Sequence, residues 1–109
     1  MIEVREYTDP AGRSPFEKWF SGLKARAAAK VTVALARIEQ GNRSNVKGVG
    51  GGVLELKIDY GPGYRIYLGK DGERLVILLG GGTKKRQAAD IEAAQHLWQE
   101  YKVRKKVER

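Results

Sequence analysis

Lys57 and Arg65 stand in two short alternating segments, LELKID and YRIYL, joined by Tyr60-Gly61-Pro62-Gly63. Apolar residues take every second position (Leu54, Leu56 and Ile58, then Tyr64, Ile66 and Leu68). Both cations, with Tyr67 two residues on, therefore share the opposite face of an antiparallel pair. Two cations beside an aromatic ring suit single-stranded RNA, the charges holding phosphates and the ring stacking on a base. The same alternation also describes an ordinary solvated sheet face, with Glu55 and Asp59 pairing with the cations. Further along, Lys84-Lys85-Arg86 follows Gly80-Gly81-Gly82. A helix starting at this cluster places three cations against its own macrodipole, at a cost of roughly a few tenths of a kcal/mol each. That arrangement fits an anion held by free amides and cations together. If the helix starts near Ala88 instead, Asp90 and Glu92 fall in its first turn and the cations belong to the loop. Either reading leaves basic side chains at the end of the sheet.

The other chemistry-bearing residues carry weaker signals. The glycine run lacks the G-x-x-x-x-G-K-[ST] spacing of a phosphate loop and reads as the break between strand and helix. The earlier run from Gly48 to Gly52 reads as close backbone packing or mobility. His96 stands alone between Gln95 and Leu97 and reads as a surface or boundary residue. Nothing marks Glu55 and Asp59 as an acid–base pair.

Bulk composition agrees with a surface made for phosphate. The chain has 109 residues, 21 Lys+Arg against 13 Asp+Glu, and a formal net charge of +8. Its pI of about 9.9 lies in the range of nucleic-acid-binding domains, although an anionic membrane or an acidic protein would also satisfy the charge. The absence of cysteine excludes disulfides, thiolate metal sites and cysteine nucleophiles, and one histidine excludes a multi-histidine metal site within the chain. The N-terminus, MIEVREYTDP, has no secretory pattern, and no apolar run approaches the ~20 residues that span a bilayer. The expectation is one soluble, cytoplasmic domain over residues 1–109.

The elements that must position the cations are legible as a series. Ile2 to Tyr7 alternates as a short strand. Ser14-Pro15-Phe16-Glu17 is a capping box with proline at the first helical position. It opens a helix to about Ser21, with Phe16, Trp19, Phe20 and Leu23 inward. A second helix, about Ala25 to Gln40, carries the stripe Leu23, Ala27, Val31, Ala34, Leu35 and Ile38 and ends at Gly41. Residues 42–52 read as a loop. Strands follow at 53–59 and 64–68. Asp71-Gly72 makes a hairpin turn, and Leu75–Leu79 reads as a strand buried on both faces. The last helix starts at about Thr83 or Arg86 and ends near Lys102, with Ile91, Ala94, Trp98 and Tyr101 inward and a frayed basic tail at about 103–109. The order β-α-α-β-β-β-α gives an α+β fold with a mainly antiparallel four-stranded sheet.

Two stretches, ELKIDYGPGYRIYLG and LLGGGTKKRQAADIEAA, with the upstream W-F…A-R-I-E-Q-G-N pattern from Trp19 to Asn42, resemble the RelE/ParE toxin superfamily. The likeness is strongest to its HigB-like, phage-related addiction module killer protein branch and covers almost the whole chain. The resemblance implies a curved antiparallel sheet carrying a helical hairpin. It also implies a ribosome-dependent mRNA interferase in which a ribose 2′-OH attacks the adjacent phosphate, with no metal and no cofactor. Carried over by position, Lys57, Arg65, Lys84 and Arg86 take catalytic roles, and Tyr67, Lys85, Lys47 and Arg43 RNA-binding roles. Two departures stand out: Lys57 is the lone lysine of its strand, between Glu55 and Asp59, and no tail histidine or tyrosine matches the acid of some members. The implied partners are mRNA on the ribosome and a helix-turn-helix antitoxin from the adjacent gene. The same superfamily contains gyrase inhibitors of the ParE kind, and a basic binding module without toxicity is the third alternative.

Overall fold

A computed structural model describes residues 1–108. Its elements are β1 (Glu3–Glu6), α1 (Pro15–Ser21), α2 (Ala25–Glu39), β2 (Val46–Gly48), β3 (Val53–Ile58), β4 (Tyr64–Asp71), β5 (Leu75–Thr83) and α3 (Gln87–Val107), with a 3-10 turn at Lys84–Arg86 before α3. The five strands form one sheet in the order β1-β5-β4-β3-β2. β1 runs parallel to β5 and the other neighbours are antiparallel.

The fold is α+β, as expected, but the sheet is five-stranded and mixed rather than four-stranded and antiparallel. The extra strand, β2, lies inside the stretch read as a loop. With three residues among glycines it shows no periodicity of its own, and its extended form comes from pairing with Leu54–Leu56 of β3. The parallel pairing of β1 arises because the two helices return the chain to the far edge of the sheet.

Helix α1 begins as read: the Ser14 Oγ accepts the Glu17 N–H at 3.0 Å, and Pro15 follows the cap. Gly80–Gly82 do not break β5, which continues to Thr83. Gly81 is glycine because the Trp19 ring of α1 lies where its Cβ would be. The final helix passes the expected end at Lys102 and reaches Val107, so residues 103–107 are helical rather than frayed; Arg109 lies outside the described residues.

Helices cover both faces of the sheet. α1 and α2 bury Phe16, Val31 and Ile38 against Leu56, Ile58, Ile66, Leu68, Val76 and Leu78. α3 buries Ala94 and Trp98 against Val53, Tyr67, Ile77 and Leu79. The face expected to be open is therefore largely roofed by α3, with polar groups at its two ends: the Glu55 and Arg65 region near the α3 N-terminus, and Asp71 with Tyr101 and Lys105 near the other end. No helix among the described residues is long and apolar enough to cross a membrane.

Candidate functional site

Lys57 on β3 and Arg65 on β4 are direct cross-strand partners, and Glu55 is the partner of Tyr67 one step along. Partners across an antiparallel pair share a face, so these four side chains form one block under the N-terminal turn of α3. On the other side of β4, Arg65 pairs with Gly82. The Gly63 carbonyl accepts both the Arg65 Nη1 at 2.7 Å and the Lys84 N–H at 2.9 Å. That shared acceptor ties the Lys84–Arg86 turn to the Arg65 side chain.

Glu55 is the centre of the block. It is 1% exposed, accepts Gln87 Nε2 at 2.8 Å, and lies 3.7 Å from Arg65 Nε and 3.8 Å from Lys47 Nζ. A carboxylate this deep needs such neighbours, because a buried unpaired charge is costly. Arg65 is 6% exposed, and its Nε–H has no hydrogen-bond acceptor among the described residues. Lys57 is exposed and makes no ion pair among those residues. Lys84, Lys85 and Arg86 are also exposed. The result is a buried ion pair surrounded by solvent-facing cations.

Three expectations need correction. Tyr67 is 1% exposed and packs under α3, so it is a floor residue rather than a platform for stacking. Its hydroxyl is buried and has no hydrogen-bond partner among the described residues, and burial, then the Glu55 charge, raise its pKa. Arg43 is not gathered with the other cations. It lines a small cavity with Ile38, Leu54 and Leu68 on the α2 side of the sheet. Glu55 is not a solvated counter-charge but the buried anchor of Arg65. Lys47 does reach the block, from the unexpected strand β2, while His96 is exposed on α3 away from it.

Gln87 and Asp90 carry no cation and so give no phosphate-binding signal in the sequence, although both stand in the Q-x-x-D spacing after the cationic cluster. That spacing puts them on one side of the first turn of α3. The Asp90 carboxylate sits over Gly82, where a Cβ would overlap it, and its Oδ2 is buried without a hydrogen-bond partner among the described residues. Burial raises the Asp90 pKa, with the Arg86 charge opposing. A carboxyl whose folded pKa is raised binds its proton more tightly when folded. Its contribution to stability is thus largest below the unfolded value of about 3.9 and is lost as pH rises through the folded value. Asp90→Asn is expected to raise stability at pH 7 by about 1 kcal/mol, the scale of one unsatisfied buried group, with the gain vanishing near pH 3. Paired thermal melts across that range check this, and a gain that grows on acidification would contradict it.

Among the described residues no group of three or more His, Asp or Glu side chains converges as a metal site. What the block can do is bind an anion. It offers the Lys57 ammonium, which makes no ion pair among the described residues, beside the buried Arg65 guanidinium, and three more cations on the adjoining turn.

The description "Phage derived protein Gp49-like (DUF891)" fits residues 18–102 of this chain, a span that includes every residue of the block. An uncharacterised protein of Haemophilus influenzae is 46% identical over 86 residues, which make up 78% of this chain and 87% of that protein. The chain therefore belongs to the Gp49-like family of phage-derived proteins, a family of the toxin and addiction-module type.

Proposed function

We propose that this protein is the toxin of a type II toxin–antitoxin module and a ribosome-dependent mRNA endonuclease of the RelE/ParE, HigB-like kind. The observation that carries the reading is the cross-strand pair of Lys57 and Arg65, an exposed ammonium without an ion pair among the described residues beside a buried guanidinium. An RNA phosphate lying against this pair receives a charge-assisted hydrogen bond from the Lys57 ammonium and is attracted by the Arg65 charge beneath it. In the proposed reaction a ribose 2′-oxygen bonds to the adjacent phosphorus while the bond to the 5′-oxygen breaks. The products are a 2′,3′-cyclic phosphate and a 5′-hydroxyl, the 2′-proton having passed to base and the leaving oxygen having gained one. Charge grows on the non-bridging oxygens, where fixed donors are worth about 10²–10³-fold in rate each. Glu55 and Gln87 hold Arg65 in place for that role. Lys84 and Arg86 stand next to it on the turn, and Lys85 and Lys47 extend the basic track for flanking phosphates.

The antitoxin is proposed to be a small helix-turn-helix protein from the adjacent gene that covers the same basic surface. Primer extension on translated mRNA tests the activity. The expected result is cuts within translated frames that require ribosomes and disappear when the neighbouring gene product is added. No ribosome-dependent cuts, with inhibited gyrase supercoiling in their place, would move the protein to the ParE-like reading. Expression without growth arrest would leave a binding module.

A further inference from the structure

A second feature lies on the other side of Lys57. Between α2 and the end of β3 is an open cleft of about 270 Å³. Lys30 and Arg37 enter it from α2, Lys57 and Tyr60 from β3 and the turn after it, and Asn45 from the approach to β2. Asp59 is the acidic residue of the lining. The cleft exists because β2 is short. Its pairing ends at Val46–Leu56, one last hydrogen bond runs from the Lys57 N–H to the Asn45 carbonyl at 3.1 Å, and β3 continues with β4 on its other side but no strand on this one.

Lys30, Arg37 and Lys57 are all exposed, and none makes an ion pair among the described residues. Tyr60 supplies an aromatic wall. Its ring stacks on Tyr64, with centroids 6.4 Å apart and planes at 20°, and Tyr64 meets Trp19 edge-on at 6.2 Å. This row fixes the ring from behind. Lys30 Nζ lies over Tyr60, 5.4 Å from the ring centroid. An exposed cation on a ring is a weak and movable cover compared with a stacked base.

We propose that this cleft takes one unstacked nucleotide of single-stranded RNA. The base stacks on Tyr60 in place of the Lys30 ammonium, and Lys30, Arg37 and Lys57 hold the phosphates on either side. The Asn45 side chain makes no hydrogen bond among the described residues, and its amide offers a donor and an acceptor to a base edge. The volume is below the ~300 Å³ at which drug-sized pockets begin, a scale that suits a single base with its sugar outside. Lys57 belongs to both sites, so a strand leaving the cleft passes directly to Arg65. The inference rests on the proposed function for the identity of that strand as substrate mRNA, but not for the cleft's affinity for RNA.

The test titrates the full-length protein, without ribosomes, with a single-stranded tetraribonucleotide and with the same sequence as a duplex at equal salt, followed by amide NMR. The single strand is expected to shift Tyr60, Asn45 and Lys57. The duplex, whose bases are not free to enter, is expected to leave Tyr60 unmoved. Tyr60→Leu is expected to weaken single-strand binding about fivefold or more. Lys30→Glu, an exposed substitution that does not touch the core, is expected to do the same. Shifts confined to the Lys84–Arg86 turn, equal shifts with the duplex, or wild-type affinity in both variants would overturn the proposal. Cleft shifts in a protein that makes no ribosome-dependent cuts would sink the nuclease reading and keep this one. Ribosome-dependent cuts with undiminished binding by both variants would do the reverse.

Discussion

Lys57→Ala is expected to lower ribosome-dependent cleavage by about 10²–10³-fold, the scale of one fixed charge-stabilising donor, while the thermal unfolding midpoint stays near that of the wild type. Lys57 is exposed and carries no ion pair among the described residues, and a surface substitution of that kind changes stability within about 0.5 kcal/mol. Arg65→Ala should behave differently. It removes the guanidinium from Glu55, which is 1% exposed and keeps only Gln87 and the more distant Lys47. Breaking a buried pair by deleting one partner costs about 3–5 kcal/mol, so Arg65→Ala should lose both cleavage and stability. Adding Glu55→Gln to it should restore part of the stability and none of the cleavage, since the orphaned charge goes but the donor does not return. Cleavage assays and melts on the three variants separate these effects. A Lys57→Ala protein that cuts like the wild type would end the proposed role of this pair.

Gly69→Ala is expected to cause a large loss of stability as well, by overpacking rather than by an orphaned charge. A Cβ at this position would overlap the six-membered ring of Trp98. Trp98 is 5% exposed and has little room to retreat. It stacks on Tyr101 with centroids 5.1 Å apart and planes at 6°, and the Tyr101 hydroxyl donates to Asp71 at 2.5 Å. Burial, followed by that hydrogen bond, pushes the Tyr101 pKa up to about 12. Either the ring leaves its slot or α3 lifts from the sheet. Overpacking of this kind costs about 3 kcal/mol, a fall in midpoint of roughly 10 °C or more for a domain of this size. Gln87 and Asp90 stand on the same helix, so lifting α3 also loosens the support of Arg65, and cleavage should fall with stability. A midpoint within about a degree of the wild type would show that the helix repacks freely.

What the sequence made legible was local, and what it concealed came from pairing across long stretches of chain. Ser14 and Pro15 mark the start of α1 by groups within three residues of each other, and the α2 stripe needs only the helical period. The Lys57–Arg65 pair was readable because a short turn joins its strands. The burial of Tyr67 was not. Its alternation matches a solvent-facing position, and only the Ala94 and Trp98 side of α3, folded back over β4, covers it. The glycines of β5 look like a break because the reason for them lies in Trp19 and Asp90, distant in sequence. Glu55 was mistaken for surface charge for the same reason: Gln87, 32 residues on, supplies the hydrogen bond that makes its burial tolerable.

The parallel alignment of β1 with β5 sets an order on biosynthesis. Glu3 faces Leu75 and Glu6 faces Leu78, so β1 leaves the translating ribosome long before β5, the strand it pairs with. Gln87, which braces Glu55, emerges later still. Contacts this far apart form slowly, and a partly made chain has neither a closed sheet edge nor a supported Arg65. For the proposed nuclease, cleavage would wait until Gln87 has emerged and braced Glu55, an interval in which a neutralising partner can already be present.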